Sequence, residues 1–257
     1  AFNPPSLDKF LNHANALSFF GKLPAEARTA LSGRVWHFNP AAFITHINKA
    51  SQVEYIAVVG TQIHNDPANK LSFIGQAVRY MRKYMQEGNR GVYTVLIFEE
   101  GYEDKHYAML ESSAMKFGFK YKKIECNTNL FKYLNEGSDR HCIPVKQLSI
   151  FCHGLQSEFA FGYKYAVSEK LSVNLQNYTM INENIFSRLG RINSYACRTA
   201  MGRLDGHSDY EFTPKINESL AQKMANYFDI PVFAYVIRSS YADTWGSRSQ
   251  RLASKVI

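Results

Sequence analysis

The sequence predicts an α/β fold, a mostly parallel sheet flanked by helices. Two observations predict it: after residue 50, short apolar runs alternate with amphipathic stretches, and glycine, proline or a capping residue separates most neighbours. Composition agrees, since 46% hydrophobic and 20% charged residues place the 257-residue chain among globular proteins with a sizeable core rather than among disordered ones.

Residues 1–50 carry Pro4, Pro5, Pro24 and Pro40 between short apolar stretches with no sustained period, and are read as a partly helical N-terminal extension. A domain over 51–257 follows. Its first strand is Tyr55 to Val59, stopped by Gly60. Asp66 as cap and Pro67 at the first helical position open a helix with Leu71, Ile74, Val78, Met81 and Met85 on one stripe, ended by Gly88. Tyr93 to Phe98 is the second strand. Asp104 is the expected cap of a helix that buries Tyr107, Leu110, Ala114 and Phe117, and Gly118 closes it. A strand near Tyr121 to Cys126 and a helix near Leu130 to Leu134 lead to the apolar run Gln147 to Cys152, terminated by His153 and Gly154. A hairpin is expected around Phe159 to Tyr165 and a helical turn over Ile185 to Leu189. Ile192 to Cys197 is the next strand, followed by a polar loop from Arg198 to Glu211. Thr213 and Pro214 then open a helix burying Ile216, Leu220, Met224 and Phe228, and Pro231 to Ile237 is the last strand.

The net charge of +8 suits an anionic partner, but Arg79, Arg82 and Lys83, like Lys120, Lys122 and Lys123, form short stretches beside regular elements and read as solvated faces. Nucleic acid is therefore not the expected partner, and no strand is followed by a glycine-rich phosphate loop. No run reaches the roughly 20 apolar residues of a membrane span. The chain is expected to be soluble and, since it starts at Ala1, a processed product or a domain cut from a longer parent. Cys126, Cys142, Cys152 and Cys197 form no C-x-x-C pair and read as reduced, which suits action in the cytosol. His141 and Cys142 lack a second cysteine at ligand spacing, and Asp205, His207 and Asp209 in a glycine-containing loop read as solvated. No metal and no cofactor are expected.

Chemistry concentrates at two strand ends. In open α/β sheets ligands bind beyond the carboxyl ends of the strands. His153 follows one apolar strand and Cys197 ends the next strong one, 44 positions later. If those strands are parallel neighbours, the imidazole can take the thiol proton to give a thiolate and later protonate a leaving amine. Gly154 lets backbone approach a bound carbonyl, and its N–H with that of Cys197 is a candidate oxyanion hole. Cys152 is adjacent to His153 and should point to the opposite sheet face. His64 and Asp66 are candidate orienting groups for the imidazole, although Asp66 reads better as a cap.

An apolar strand ending in His-Gly, then an apolar strand ending in Ala-Cys, resembles the caspase-like cysteine peptidases. In caspases the second motif reads Gln-Ala-Cys-Arg-Gly, with the histidine about 50 residues upstream; here it reads Tyr195-Ala196-Cys197-Arg198-Thr199. The resemblance covers roughly residues 53–237. It implies His153 and Cys197 as a dyad and Gly154 as an oxyanion contact. It also implies Tyr195 in the primary specificity pocket, where acid-specific members carry Gln. The segment Arg238 to Arg248 stands where caspases keep a substrate-binding loop, so Arg238, Asp243 and Trp245 are substrate contacts by the same reasoning. The loop 198–211 resembles in place the segment that many members cleave on activation.

The expected function is a cysteine endopeptidase that cuts a protein partner or its own parent chain, as a bacterial effector or toxin module acting in a target cell. The alternatives are acyl transfer by the same dyad and a non-enzymatic α/β module that binds nucleotide or nucleic acid.

Overall fold

The described residues of 53–140 and 144–238 belong to one compact unit. The computed structural model describes residues 52–65, 67–88, 90–165, 168–202 and 215–238; the expected extension over 1–50, the Asp66 cap, the 203–211 stretch with Asp205, His207 and Asp209, the Thr213–Pro214 helix start, and Asp243 and Trp245 lie outside them.

Glu54–Val59 forms β1, buried at every position. Such a run is what an inner strand of a parallel sheet requires, since both faces are covered. β2 (Val92–Phe98), β3 (Lys120–Ile124) and β4 (Val145–Phe151) follow in the chain, with α1 (Pro67–Lys70) and α2 (Ser72–Gln86) after β1, α3 (Asp104–Phe117) after β2 and α4 (Asn127–Glu136) after β3. The short strands β5 (His153–Leu155), β6 (Glu158–Ala160) and β7 (Ser172–Asn174) form a separate antiparallel sheet. β8 (Phe186–Ser194), α5 (Leu220–Phe228) and β9 (Val232–Phe233) complete the order. The main sheet has six strands in the order β3-β2-β1-β4-β8-β9, every pair parallel.

Side-chain alternation divides the core. Tyr55, Ala57 and Val59 of β1, with Val95 and Ile97 of β2 and Phe151 of β4, pack under Phe73, Ile74, Val78 and Met81 of α2 and Leu110 of α3. Ile56 and Val58, with Leu148 and Ile150 of β4, face Leu130 and Leu134 of α4 and Leu220, Met224 and Phe228 of α5. Each fully buried branched or aromatic side chain contributes about 1.5–3 kcal/mol.

Beneath one end of β1 lies a charged cluster. Glu54 accepts from Thr94 Oγ1 at 2.6 Å, Tyr133 Oη at 2.8 Å, Ser138 Oγ at 3.1 Å and Arg140 Nη1 at 2.5 Å. Arg140 also donates to the carbonyls of Leu134 and Tyr133, which end α4. Burial, with Glu54 beside it, pushes the Tyr133 phenol up to about 12, so it remains a donor. On the outer strand β3 the exposed Lys122 and Lys123 lie over the rings of Tyr133 and Tyr107 respectively.

Several local expectations are corrected. The helix after β2 is capped by Glu103, not Asp104: Glu103 and His106 form a reciprocal capping box, and Asp104 is the first helical residue. The expected helical turn over Ile185 to Leu189 is a strand with an irregularity. Val145 pairs with Phe186 but Gln147 pairs with Arg191, so residues 187–190 bulge and Leu189 is 75% exposed. The expected hairpin comes earlier: β5 and β6 turn at residues 156 and 157, with Ser157 at φ +56°. Ser219, not Thr213, caps α5, and Ile216 is exposed. The last strand shrinks to Val232–Phe233 in the sheet, although Tyr235 and Ile237 still accept backbone hydrogen bonds from Ala200 and Arg198.

Candidate active site

β4 and β8 are neighbouring parallel strands, with Leu148, Ser149 and Ile150 opposite Ile192, Asn193 and Ser194. His153 and Cys197 each lie three residues beyond the last pair of that register, at the carboxyl rim. Phe151 stacks on Tyr195 at 4.7 Å and 5°, carrying the alignment one residue past the ladder.

Gly154 brings the rim together. A Cβ built there would overlap the backbone N and O of Cys197 and stand 2.8 Å from the Ala196 carbonyl carbon. Only glycine lets the segment after β4 meet the Ala196–Cys197 peptide this closely. Gly154→Ala is therefore expected to reduce the rate at which an electrophile modifies Cys197 by up to about 10², since an ångström-scale displacement of reacting groups can have that effect. Timed mass spectrometry of the variant, with circular dichroism to confirm folding, checks this.

The turn bearing Cys197 is tied down from behind. Ser194 and Thr199 hydroxyls lie 2.9 Å apart, Ala196 N–H donates to Ser194 Oγ, and Thr199 Oγ1 donates to the Ala196 carbonyl. Arg198 N–H donates to Ile237 O at 3.2 Å and Ala200 N–H to Tyr235 O at 3.0 Å. Arg198 sits at φ +56°, a left-handed conformation that costs a non-glycine residue about 1 kcal/mol or more and persists because these bonds enforce it.

His153 is half-buried. Its ring meets Phe73 of α2 edge-on at 5.2 Å and lies 5.0 Å from the Tyr163 ring. Burial, helped by His64 and Lys164 nearby, pushes its imidazole down to about 4, so it is neutral at pH 7. Nε2 lies 3.1 Å from Gln62 Oε1. Gln62 is buried on the β1–α1 loop. Its amide donates to Ser72 Oγ at 3.1 Å, its Oε1 accepts from His64 N–H at 3.2 Å, and its backbone carbonyl accepts from Lys70 Nζ at 2.8 Å. Lys70, itself buried, also reaches Asn65 Oδ1 at 3.1 Å, and burial lowers its ammonium pKa.

The fold brings some of the sequence-predicted residues together and separates others. His153, Gly154 and Cys197 come to one rim. Tyr195 lies beside them between Phe151 and Tyr80 and shares an open depression of about 310 Å³ with Asn193, Ser194, Phe233, Ala234 and Tyr235. Arg238 is exposed and follows Ile237, whose carbonyl receives the Arg198 N–H. Cys152 is fully buried and packs into the opposite core, and burial raises its thiol pKa. All four cysteines are thiols. His64 reaches the site through its backbone N–H, while its side chain opposes rather than supports charge on His153. Sequence reasoning missed Gln62, whose amide belongs to no motif. Its place just after the Gly60 that ends β1, on the same rim, was the available signal.

Among the described residues no three His, Cys, Asp or Glu side chains gather where a metal ion could be held, and no helix is long and apolar enough to cross a membrane. Compared with protein families, curated proteins and solved structures, the chain matches none.

Proposed function

We propose that this chain is a caspase-like cysteine peptidase, with Cys197 as nucleophile and His153 as general base and acid. One observation carries the reading: two adjacent parallel strands end in His153-Gly154 and Cys197 at equal distance past a shared register, with Gly154 against the peptide of Cys197. Because His153 is neutral at pH 7, it accepts the thiol proton as the thiolate attacks the substrate carbonyl. The carbon–sulfur bond forms and the carbonyl π electrons move to oxygen, where the N–H groups of Gly154 and Cys197 receive the charge. Collapse of the intermediate expels the amine, which takes the proton from His153. Water then hydrolyses the thioester by the same exchange. The substrate is a protein or peptide, Tyr195 and its depression hold the side chain before the cleaved bond, and no cofactor enters the sequence of steps.

The test is a peptide-bearing thiol electrophile applied to the intact protein, followed by peptide mapping of all four cysteines. The expected result is rapid modification confined to Cys197, absent in Cys197→Ala. Equal, slow modification of Cys197 and the half-buried Cys126 would overturn the reading.

A further inference from the structure

A base that works through one ring nitrogen must have its tautomer fixed by a partner on the other. In triads that partner is commonly a carboxylate. Here the titratable groups around His153 are His64 on the β1–α1 loop and Lys164 and Tyr163 after β6, while α2 presents Phe73; the backbone of Cys197 lies against the next residue, Gly154. The group on Nε2 is the neutral amide of Gln62.

The direction of that amide is determined by its neighbours. Oε1 already accepts from His64 N–H, while the amide nitrogen donates to Ser72 Oγ. A flipped amide would set its NH2 against the His64 N–H, two donors facing each other. The carbonyl therefore faces His153, and the Nε2 beside it carries the hydrogen. Gln62 is 5% exposed, and Lys70 holds its backbone from within the fold, so the arrangement is built before substrate arrives.

We infer that Gln62 is a positioning residue for the dyad: its side-chain carbonyl holds His153 in the Nε2–H tautomer and leaves Nδ1 as the lone pair that takes the Cys197 proton. The inference rests on the peptidase reading for its chemical meaning, but the tautomer itself does not. Imidazole held this way meets the negative end of a dipole instead of a full negative charge, so that side favours imidazolium less than a carboxylate would.

Three variants of the full chain test it, read by the pH dependence of Cys197 modification and by nitrogen NMR of the His153 ring. In the wild type the ring is expected to show the Nε2–H tautomer at pH 7. Gln62→Glu puts a carboxylate at the same place, and the acid limb of the modification rate is expected to rise by about 1–3 pH units, the shift a charge at contact distance produces. Gln62→Leu keeps the volume and removes the acceptor. Modification is expected to slow by about tenfold or more, with mixed tautomers. Ser72→Ala leaves the acceptor in place but removes the anchor of its amide, and a smaller loss of the same kind is expected.

An unmoved acid limb in folded Gln62→Glu, or an Nδ1–H tautomer in the wild type, overturns the inference. If Cys197 is not selectively modified at all, the peptidase reading fails, and the NMR tautomer in wild type and Gln62→Leu still decides the role of Gln62.

Discussion

On the proposed peptidase reading, replacing His153 with alanine is expected to slow peptide cleavage by ~10² to 10⁴, the usual range for loss of a positioned acid/base group. The wild-type protein should also keep its activity to unusually low pH. Its imidazole titrates at about 4 instead of near 6.5, so the acid limb of kcat/KM is expected near pH 4. Steady-state rates between pH 3.5 and 8 check this. A limb at 6.5 would mean that the buried site does not disfavour the imidazolium.

The same residue links pH to stability. The folded pKa lies below the unfolded one, so between 6.5 and about 4 the unfolded chain binds a proton that the folded chain does not. Stability contributed by neutral His153 is therefore present above pH 6.5 and is lost as pH falls through that window. At about 1.4 kcal/mol per pH unit the loss is at most about 3.5 kcal/mol. Urea unfolding at pH 7 and pH 4.5 should show a smaller drop for His153→Gln than for wild type.

The largest effect on stability is expected at the charged cluster under β1. The side chains of Glu54 and Arg140 are 0% and 7% exposed. Arg140→Met leaves the Glu54 carboxylate buried without its counter-charge and removes donors from two carbonyls at the end of α4. Breaking such a pair from one side costs about 3–5 kcal/mol. The double variant Glu54→Leu with Arg140→Met removes both charges, but also removes the acceptor of the Thr94, Tyr133 and Ser138 hydroxyls, of which only Tyr133 keeps a partner, in Thr94 Oγ1. It should recover part of the loss and not all of it. Denaturant midpoints of the single and double variants give the coupling directly.

What was legible in the sequence follows from how each element is buried. β1, β2 and β4 are buried along nearly their whole length because helices cover both faces, and such runs, mostly apolar in β1 and β2 and mixed with Gln147 and Ser149 in β4, are hard to misread once Gly60 or His153-Gly154 stops them. The helix after β2 was legible for a different reason, since Gly118 at φ +78° gives it a left-handed end. The errors arose where spacing carried no burial. Leu189 and Ile216 fit a helical stripe on paper, yet both face solvent in the fold. β5, β6 and β7 have three residues each, too few for an alternation to register. At the site, the placing of His153 and Cys197 beyond the ends of two neighbouring strands was legible, because reactive side chains at strand ends stand out. Gln62 offered only its place just after Gly60, because its contact with His153 is a tertiary hydrogen bond between residues 91 positions apart.

Among the described residues, the lysines of β3 stand at an edge of the sheet. Within the described residues β3 pairs on one side only, so its other side offers unpaired backbone to an incoming strand. Lys122 leans over Tyr133 and Lys123 over Tyr107, which places a cation on each face of that edge. A second β3 docking there would set lysine against lysine at a spacing of about 5 Å, where like charges repel. The sheet is thereby protected against edge-to-edge growth, and the protection weakens as salt screens the charge.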